Sequence, residues 1–216
     1  MPARSSALLA QRTRQIISRL KKTYPDAHCE LNHSNPLQLL IATILSAQCT
    51  DERVNKVTPA LFARCRTAKD YAEISTEELE DLIRTTGFFR SKAKSIRGCA
   101  AALTKDHQGE VPRTMDYLHK LPGVGRKTAN VVLGNAFNLA EGVVVDTHVG
   151  RLSRRLDLTR QHDPVKVEQA LVKIVPRGDW TLFSHLLIWH GRRRCSARKP
   201  DCAHCEIQNL CPKRGV

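Results

Sequence analysis

Four cysteines stand close together near the end of this 216-residue chain, spaced Cys195-x6-Cys202-x2-Cys205-x5-Cys211. Four thiolates on so short a loop are a complete ligand set for a tetrahedral zinc ion or for a [4Fe–4S] cluster. Structural zinc often uses two Cys-x-x-Cys hooks, and only one is present, so the spacing leans towards iron and sulfur. His204 lies inside the loop, but four cysteines already suffice and it is expected at the surface. Cys29, Cys49, Cys65 and Cys99 are scattered, and Cys49 reads as a small buried hydrophobe. In a reducing cytosol a tight group of four is a metal site before it is a pair of disulfides.

The segment Leu121-Pro122-Gly123-Val124-Gly125-Arg126-Lys127-Thr128-Ala129-Asn130 offers a second chemistry. Two glycines in a tight turn between helices let the backbone approach a ligand closely, and the next helix start supplies N–H groups and a positive dipole end. That combination suits a phosphate; an ordinary turn between helices is the plainer alternative. Basic residues crowd the cysteine cluster as well: Arg192, Arg193 and Arg194 precede it, and Arg198 and Lys199 lie between its first two ligands. Over the whole chain 35 Lys and Arg oppose 21 Asp and Glu, a formal charge of +14. Such an excess favours a polyanionic partner, because each neutralised phosphate releases counterions.

The elements that must position these residues are helices. From about Ser6 to Tyr24, the residues Leu9, Ile16, Ile17, Leu20 and Tyr24 recur at helical spacing, and this stripe sets the segment apart from an Arg-rich targeting peptide. Pro36 opens an apolar run to Leu45, and Thr50 with Asp51 and Glu52 starts the next helix. Ser75 and Glu78 form a capping-box pattern before a helix that stops at Gly87, and a further helix spans Ser91 to about Asp106. A short helix to about Lys120, the glycine turn and a helix from Arg126 to about Phe137 make a helical hairpin. Gly142 to Val145 is β-like but has nothing to pair with, so it reads as an extended link. Asp146, Asp163-Pro164 and Asp179 are placed to start three more helices. Hydrophobic residues at 41% and charged residues at 26% fit an ordinary folded protein, with no apolar run of about 18 residues to span a membrane and no secretory leader. The expected fold is all-α.

Leu121 to Asn130 resembles the helix-hairpin-helix motif of the endonuclease III family of DNA glycosylases, followed at that family's spacing by Val145-Asp146-Thr147-His148. Leu45-Ser-Ala-Gln-Cys-Thr-Asp51, Ser91-Lys92-Ala93 and the cysteine spacing are similar too, so the likeness runs from about Glu30 onward. It implies two lobes. A six-helix barrel domain with the hairpin would cover residues 30–139, an iron–sulfur cluster domain would combine 1–29 with 140–216, and the active-site cleft would lie between them.

The resemblance implies that Lys127 is a nucleophile attacking the sugar C1′ of a damaged nucleotide, displacing the base and forming a Schiff base that undergoes β-elimination. An ammonium cannot attack, and an ordinary lysine titrates near about 10.4, each unit of mismatch costing about 1.4 kcal/mol. A first-turn position, Arg126 alongside and desolvation by bound DNA all disfavour the ammonium. Asp146 would stabilise positive charge on the sugar and assist proton transfers, and it also reads as a helix N-cap. A carboxylate near the lysine works against the dipole, and the sequence leaves that balance open.

Attack on C1′ requires the nucleotide to leave the stack. By resemblance Gln48 would fill the vacated space and Phe88 would wedge from the other side, with the adjacent Phe89 a competitor for that role. Gly123, Val124, Gly125 and Arg126 would seat phosphate, as would Arg193, Arg198 and Lys199 around the [4Fe–4S] cluster held by the four cysteines. His28, His33, His107, His119, His162, His185 and His190 form no pattern. The expected protein is a monomeric bifunctional glycosylase and abasic-site lyase of the bacterial cytoplasm and nucleoid. It would remove oxidised pyrimidines such as thymine glycol from duplex DNA in base excision repair. One alternative is the adenine-removing branch, which lacks the lysine and carries an added C-terminal domain, whereas this chain ends five residues after Cys211. Another is a non-catalytic DNA-binding or redox module.

Overall fold

A computed structural model describes residues 3–216, with side chains from residue 7 onward. The described residues form eleven α-helices and no strand, as the periodicities require. They separate into two compact units, one comprising Cys29–Glu141 and the other the chain up to His28 together with Gly142–Val216.

The unit Cys29–Glu141 is built around α2 (Pro36–Leu45), in which every residue from Leu39 to Leu45 is buried. A helix apolar all round has no solvent face to keep, so its neighbours surround it. Each leucine or isoleucine buried there contributes about 1.5–3 kcal/mol. Asn35 caps the helix by accepting from the Gln38 N–H at 2.9 Å, and Pro36 fills the first position. α3 (Asp51–Arg64) starts from Thr50, whose hydroxyl accepts from Arg53 N. α4 (Ala68–Glu73) carries a full capping box between Thr67 and Asp70. α5 (Thr76–Ile83) departs from that pattern. Ser75 does cap it, but the Glu78 carboxylate that should complete the box turns to Arg64, at 2.5 and 3.1 Å, because a guanidinium is the stronger partner. A 3₁₀ turn over Arg84–Thr86 then reaches Gly87, at φ +69°.

α6 (Phe89–Asp106) begins two residues before Ser91, with Phe88 in the left-handed region as its N-cap. α7 (Met115–Leu118) is a single turn, and α8 (Arg126–Ala136) follows the glycine turn and packs on α2.

In the other unit, α1 (Ala3–Thr23) buries Ile16, Ile17 and Leu20. It packs on α11 (Trp180–Arg193), which also packs on α9 (Thr147–Arg155). Gly142–Val145 forms neither helix nor strand, and Val143 is fully buried. α10 (Pro164–Leu171) starts at Asp163, which caps Lys166 N. Asp179 precedes α11 without capping it. Its carboxylate binds Lys21 of α1 at 2.7 Å, and a 3₁₀ turn leads into the helix. No helix of the described residues is long and apolar enough to cross a membrane.

Candidate functional site

The glycine turn is held from beneath by apolar side chains. Leu121 and Val124 are buried, and α8 sinks Ala129, Val132 and Leu133 into the core around α2. The two glycines differ. Gly123 has φ +76°, and a Cβ there would lie 2.6 Å from Ser95 Cβ of α6, so conformation and packing both demand glycine. Gly125 has φ −86°, and a Cβ there would meet nothing within 4 Å. Nothing inside the protein requires glycine at 125. Gly125 is also the N-cap of α8 and supplies no side-chain acceptor to the first-turn N–H groups.

Val124 points inward at 5% exposure, and its N–H donates to Leu121 O at 3.1 Å, so any outward contact at the turn falls to its neighbours. Arg126 and Lys127 are exposed in the first turn of α8.

Four non-glycine residues of the same unit hold left-handed backbone: Gln108 and Asn138, which follow helix ends, and Gln48 and Phe88. Gln48 is exposed at φ +51°, just past the C-terminus of α2, with Cys49 packed against the core beside it. Phe88 is 68% exposed at φ +47°, whereas Phe89 packs against the core with Arg84 and Arg90 over its ring. Left-handed backbone costs a residue with a side chain some energy, and at Gln48 and Phe88 it carries an exposed side chain out of a loop. Lys92 of α6 secures the loop before Phe88. Its buried ammonium donates to Thr86 O at 2.7 Å, and burial pulls its pKa below the ordinary lysine value. Sequence reading had no means of assigning that role, since Lys92 looks like any solvated helix lysine.

In the other unit Asp146 caps α9, its Oδ1 accepting from Val149 N at 2.7 Å. The same helix supports the cysteine loop. Arg151 donates to Gly191 O and Cys195 O at 3.1 and 2.9 Å. Arg155, one turn on, donates to Cys195 Sγ, Ser196 O and Ala197 O at 3.2, 2.7 and 2.7 Å. Arg194, whose neighbours face solvent, is committed internally to Asp201 and Glu206 at 2.7 and 3.0 Å. Arg198 and Lys199 are exposed, and Ser196 Oγ bonds Lys199 O at 2.6 Å to fix their turn. Arg193 is stacked on Trp189 at 3.8 Å. His204 is exposed and bonded to Asp201.

All four cysteines are unpaired thiols lining one pocket with Leu152, Leu156 and Ile207. Three of the sulfurs lie against nitrogen: Arg155 Nη1 donates to Cys195, Lys213 N donates to Cys211 at 3.3 Å, and the His190 ring lies 3.4 Å from Cys205. Burial pushes the Cys205 and Cys211 thiols up, so their ionised form needs nearby positive charge such as a metal centre supplies. Sulfur ringed by N–H donors fits thiolate ligands. Among the described residues, His190, Cys205 and Glu206 also bring donor atoms within 4.8 Å of one another. His190 is 1% exposed, and burial holds its imidazole down at about 4, so it is neutral near pH 7.

Comparison with known proteins gives a consistent picture. The signature of the HhH-GPD superfamily base excision DNA repair proteins matches residues 41–177. Endonuclease III of Synechocystis sp. is 54% identical over 97% of this chain and 95% of its own. Endonuclease III of Escherichia coli is 43% identical over 91% and 93%. A solved non-covalent endonuclease III–DNA complex superposes with TM-score 0.89 at 48% identity, covering 94% of this chain and 95% of the other. The chain therefore belongs to the endonuclease III family, within the HhH-GPD superfamily of base excision DNA repair proteins.

Proposed function

We infer that this chain is a bifunctional DNA glycosylase and abasic-site lyase that removes oxidised pyrimidines from duplex DNA and cuts the strand 3′ to the site. The observation that carries the reading is Lys127, an exposed amine in the first turn of α8, directly after a turn whose Gly125 no internal contact explains. A phosphate approaching the open N-terminus of α8 gives that glycine a reason and leaves the amine beside the sugar.

In this mechanism the unprotonated Lys127 Nζ attacks C1′, the bond from C1′ to the base breaks, and the base leaves with a proton. The sugar ring opens to an imine on Nζ. Loss of a C2′ proton then breaks the C3′–O bond, and water hydrolyses the imine to free the lysine. Lys127 faces solvent, so the desolvation that disfavours its charged form comes from the bound DNA. Asp146 contributes a carboxylate held by the helix it caps, ready to stabilise charge on the sugar and relay protons. Gln48 fills the space the nucleotide leaves, and Phe88, the more exposed of the two phenylalanines, is the wedge.

Cys195, Cys202, Cys205 and Cys211 hold a [4Fe–4S] cluster in this reading. A single Cys-x-x-Cys hook among the four ligands favours the cluster over one tetrahedral zinc ion, which often takes two. When bound, the cluster cross-links the loop that presents Arg198 and Lys199, so these charges meet phosphate with little further ordering. The substrate places the protein with the nucleoid of a bacterial cell.

The test is incubation with duplexes carrying an oxidised pyrimidine, a normal pyrimidine or an abasic site. Base release from the first and cleavage of the first and third are expected. Cleavage of neither, with DNA still bound, would overturn the lyase reading and leave the adenine-removing branch or a non-catalytic module.

A further inference from the structure

We propose that Tyr24 and His190 form a hydrogen-bond relay that orients and polarises Cys205 as a cluster ligand, a role resting on the iron–sulfur reading above. Tyr24 follows α1, and its hydroxyl lies 3.0 Å from His190 Nδ1. The opposite nitrogen of the same ring, Nε2, lies 3.4 Å from Cys205 Sγ. Tyr24 is 9% exposed and His190 1%, so little water competes for either bond.

The chemistry of the ligand fixes the direction of the relay. A cysteine bound to iron is a thiolate and can only accept, so Nε2 must carry the ring hydrogen. Nδ1 is then an acceptor, and the donor it needs is the Tyr24 hydroxyl. Tyr24 thus selects the tautomer that serves Cys205, without touching the sulfur itself. Without that hydroxyl the ring can carry its hydrogen on Nδ1 instead, which would turn the Nε2 lone pair towards the thiolate.

The other groups around the ring do not replace Tyr24. Glu206 Oε2 is 4.0 Å from Nδ1, beyond hydrogen-bond range, and the same carboxylate is engaged by Arg194 through Oε1 at 3.0 Å. These commitments also argue against a separate metal ion held by His190, Cys205 and Glu206, since Tyr24 occupies one ring nitrogen and Arg194 the carboxylate. The ring of Trp189 meets Tyr24 edge-on at 6.2 Å and Arg193 lies over Trp189, so the phenol is fixed by packing on its outer side. Hydrogen bonds to cluster sulfurs raise the reduction potential by stabilising the more negative reduced state.

The experiment uses purified holoprotein: wild type, Tyr24→Phe, His190→Phe and the double variant, each checked for helical content and for iron–sulfur absorbance. The readouts are the one-electron midpoint potential and the rate of cluster loss to an iron chelator. Tyr24→Phe should shift the midpoint negative by about tenfold in the one-electron equilibrium, about 59 mV, and speed cluster loss. In the His190→Phe background the same change should do nothing further, because a phenyl ring carries no hydrogen-bonding group between residue 24 and the sulfur. Unchanged potential and loss rate in Tyr24→Phe, or an equal shift in both backgrounds, would overturn the relay. A colourless wild type containing zinc would instead overturn the cofactor reading, and the relay with it.

Discussion

The hairpin around Gly123–Lys127 and the loop around Cys195–Cys211 both gather basic residues and both meet phosphate in the proposed function, yet they are built in different ways. The hairpin is shaped by backbone. Its side chains either sink into the core, as Leu121 and Val124 do, or stand exposed, as Arg126 and Lys127 do, and the N-terminus of α8 has no side-chain cap. The cysteine loop is shaped by side chains, with Arg151, Arg155, Arg194 and Ser196 each bonded to the loop's own carbonyls, carboxylates or sulfur. The first-turn N–H groups of α8 have no side-chain acceptor at the cap, while the polar groups of the cysteine loop are largely spent on one another. The difference teaches where chemistry and where support should be sought: a reactive residue needs an unsatisfied environment, and a grip surface needs a rigid one.

The comparison can be broken most severely at Lys127. Lys127→Gln should lower strand cleavage by about 10³-fold or more. Its urea midpoint should stay within about 0.5 kcal/mol of wild type, since the side chain is exposed. Arg155→Ala should do the reverse. It strips three bonds from the cysteine loop and should destabilise the protein by about 3 kcal/mol in urea unfolding, with earlier loss of visible absorbance on heating.

A smaller contrast lies within the hairpin. Gly123→Ala meets Ser95 at 2.6 Å in a left-handed backbone and should cost about 2 kcal/mol of stability. Gly125→Ala should cost almost none, while Gly125→Asp should weaken duplex binding by placing a carboxylate at the proposed phosphate seat. Equal stability losses at both glycines would remove the argument for a ligand at 125. An effect on activity well below that of Lys127→Gln is expected at Phe88→Ala, which should slow lesion processing by about tenfold and leave binding to undamaged duplex nearly unchanged. Comparable losses in the two assays would count against the wedge.

What the sequence reveals of this molecule is its local part. The caps at Thr50, Asp146 and Asp163 involve residues three apart, so type and spacing suffice to find them. The hairpin and the cysteine spacing are local in the same sense. Glu78 shows where this fails: Arg64 is fourteen residues away, and no pattern within the helix start reveals that it will claim the carboxylate. Arg155, His190 and Tyr24 are invisible for the same reason. Arg155 reaches its cysteine across 40 residues and Tyr24 its histidine across 166, so only the packing of α1, α9 and α11 brings them together. The adjacent phenylalanines are separated by burial, which a single exposed left-handed residue at the start of α6 decides.

The central claim is that Lys127 forms the covalent bond to the sugar. Borohydride reduction during incubation with duplex containing an abasic site tests it directly. The account predicts a stable protein–DNA adduct with wild type whose cross-linked peptide contains Lys127, and none with Lys127→Gln at equal DNA occupancy. An adduct of wild-type yield in the variant, or one mapped to another lysine, would contradict it.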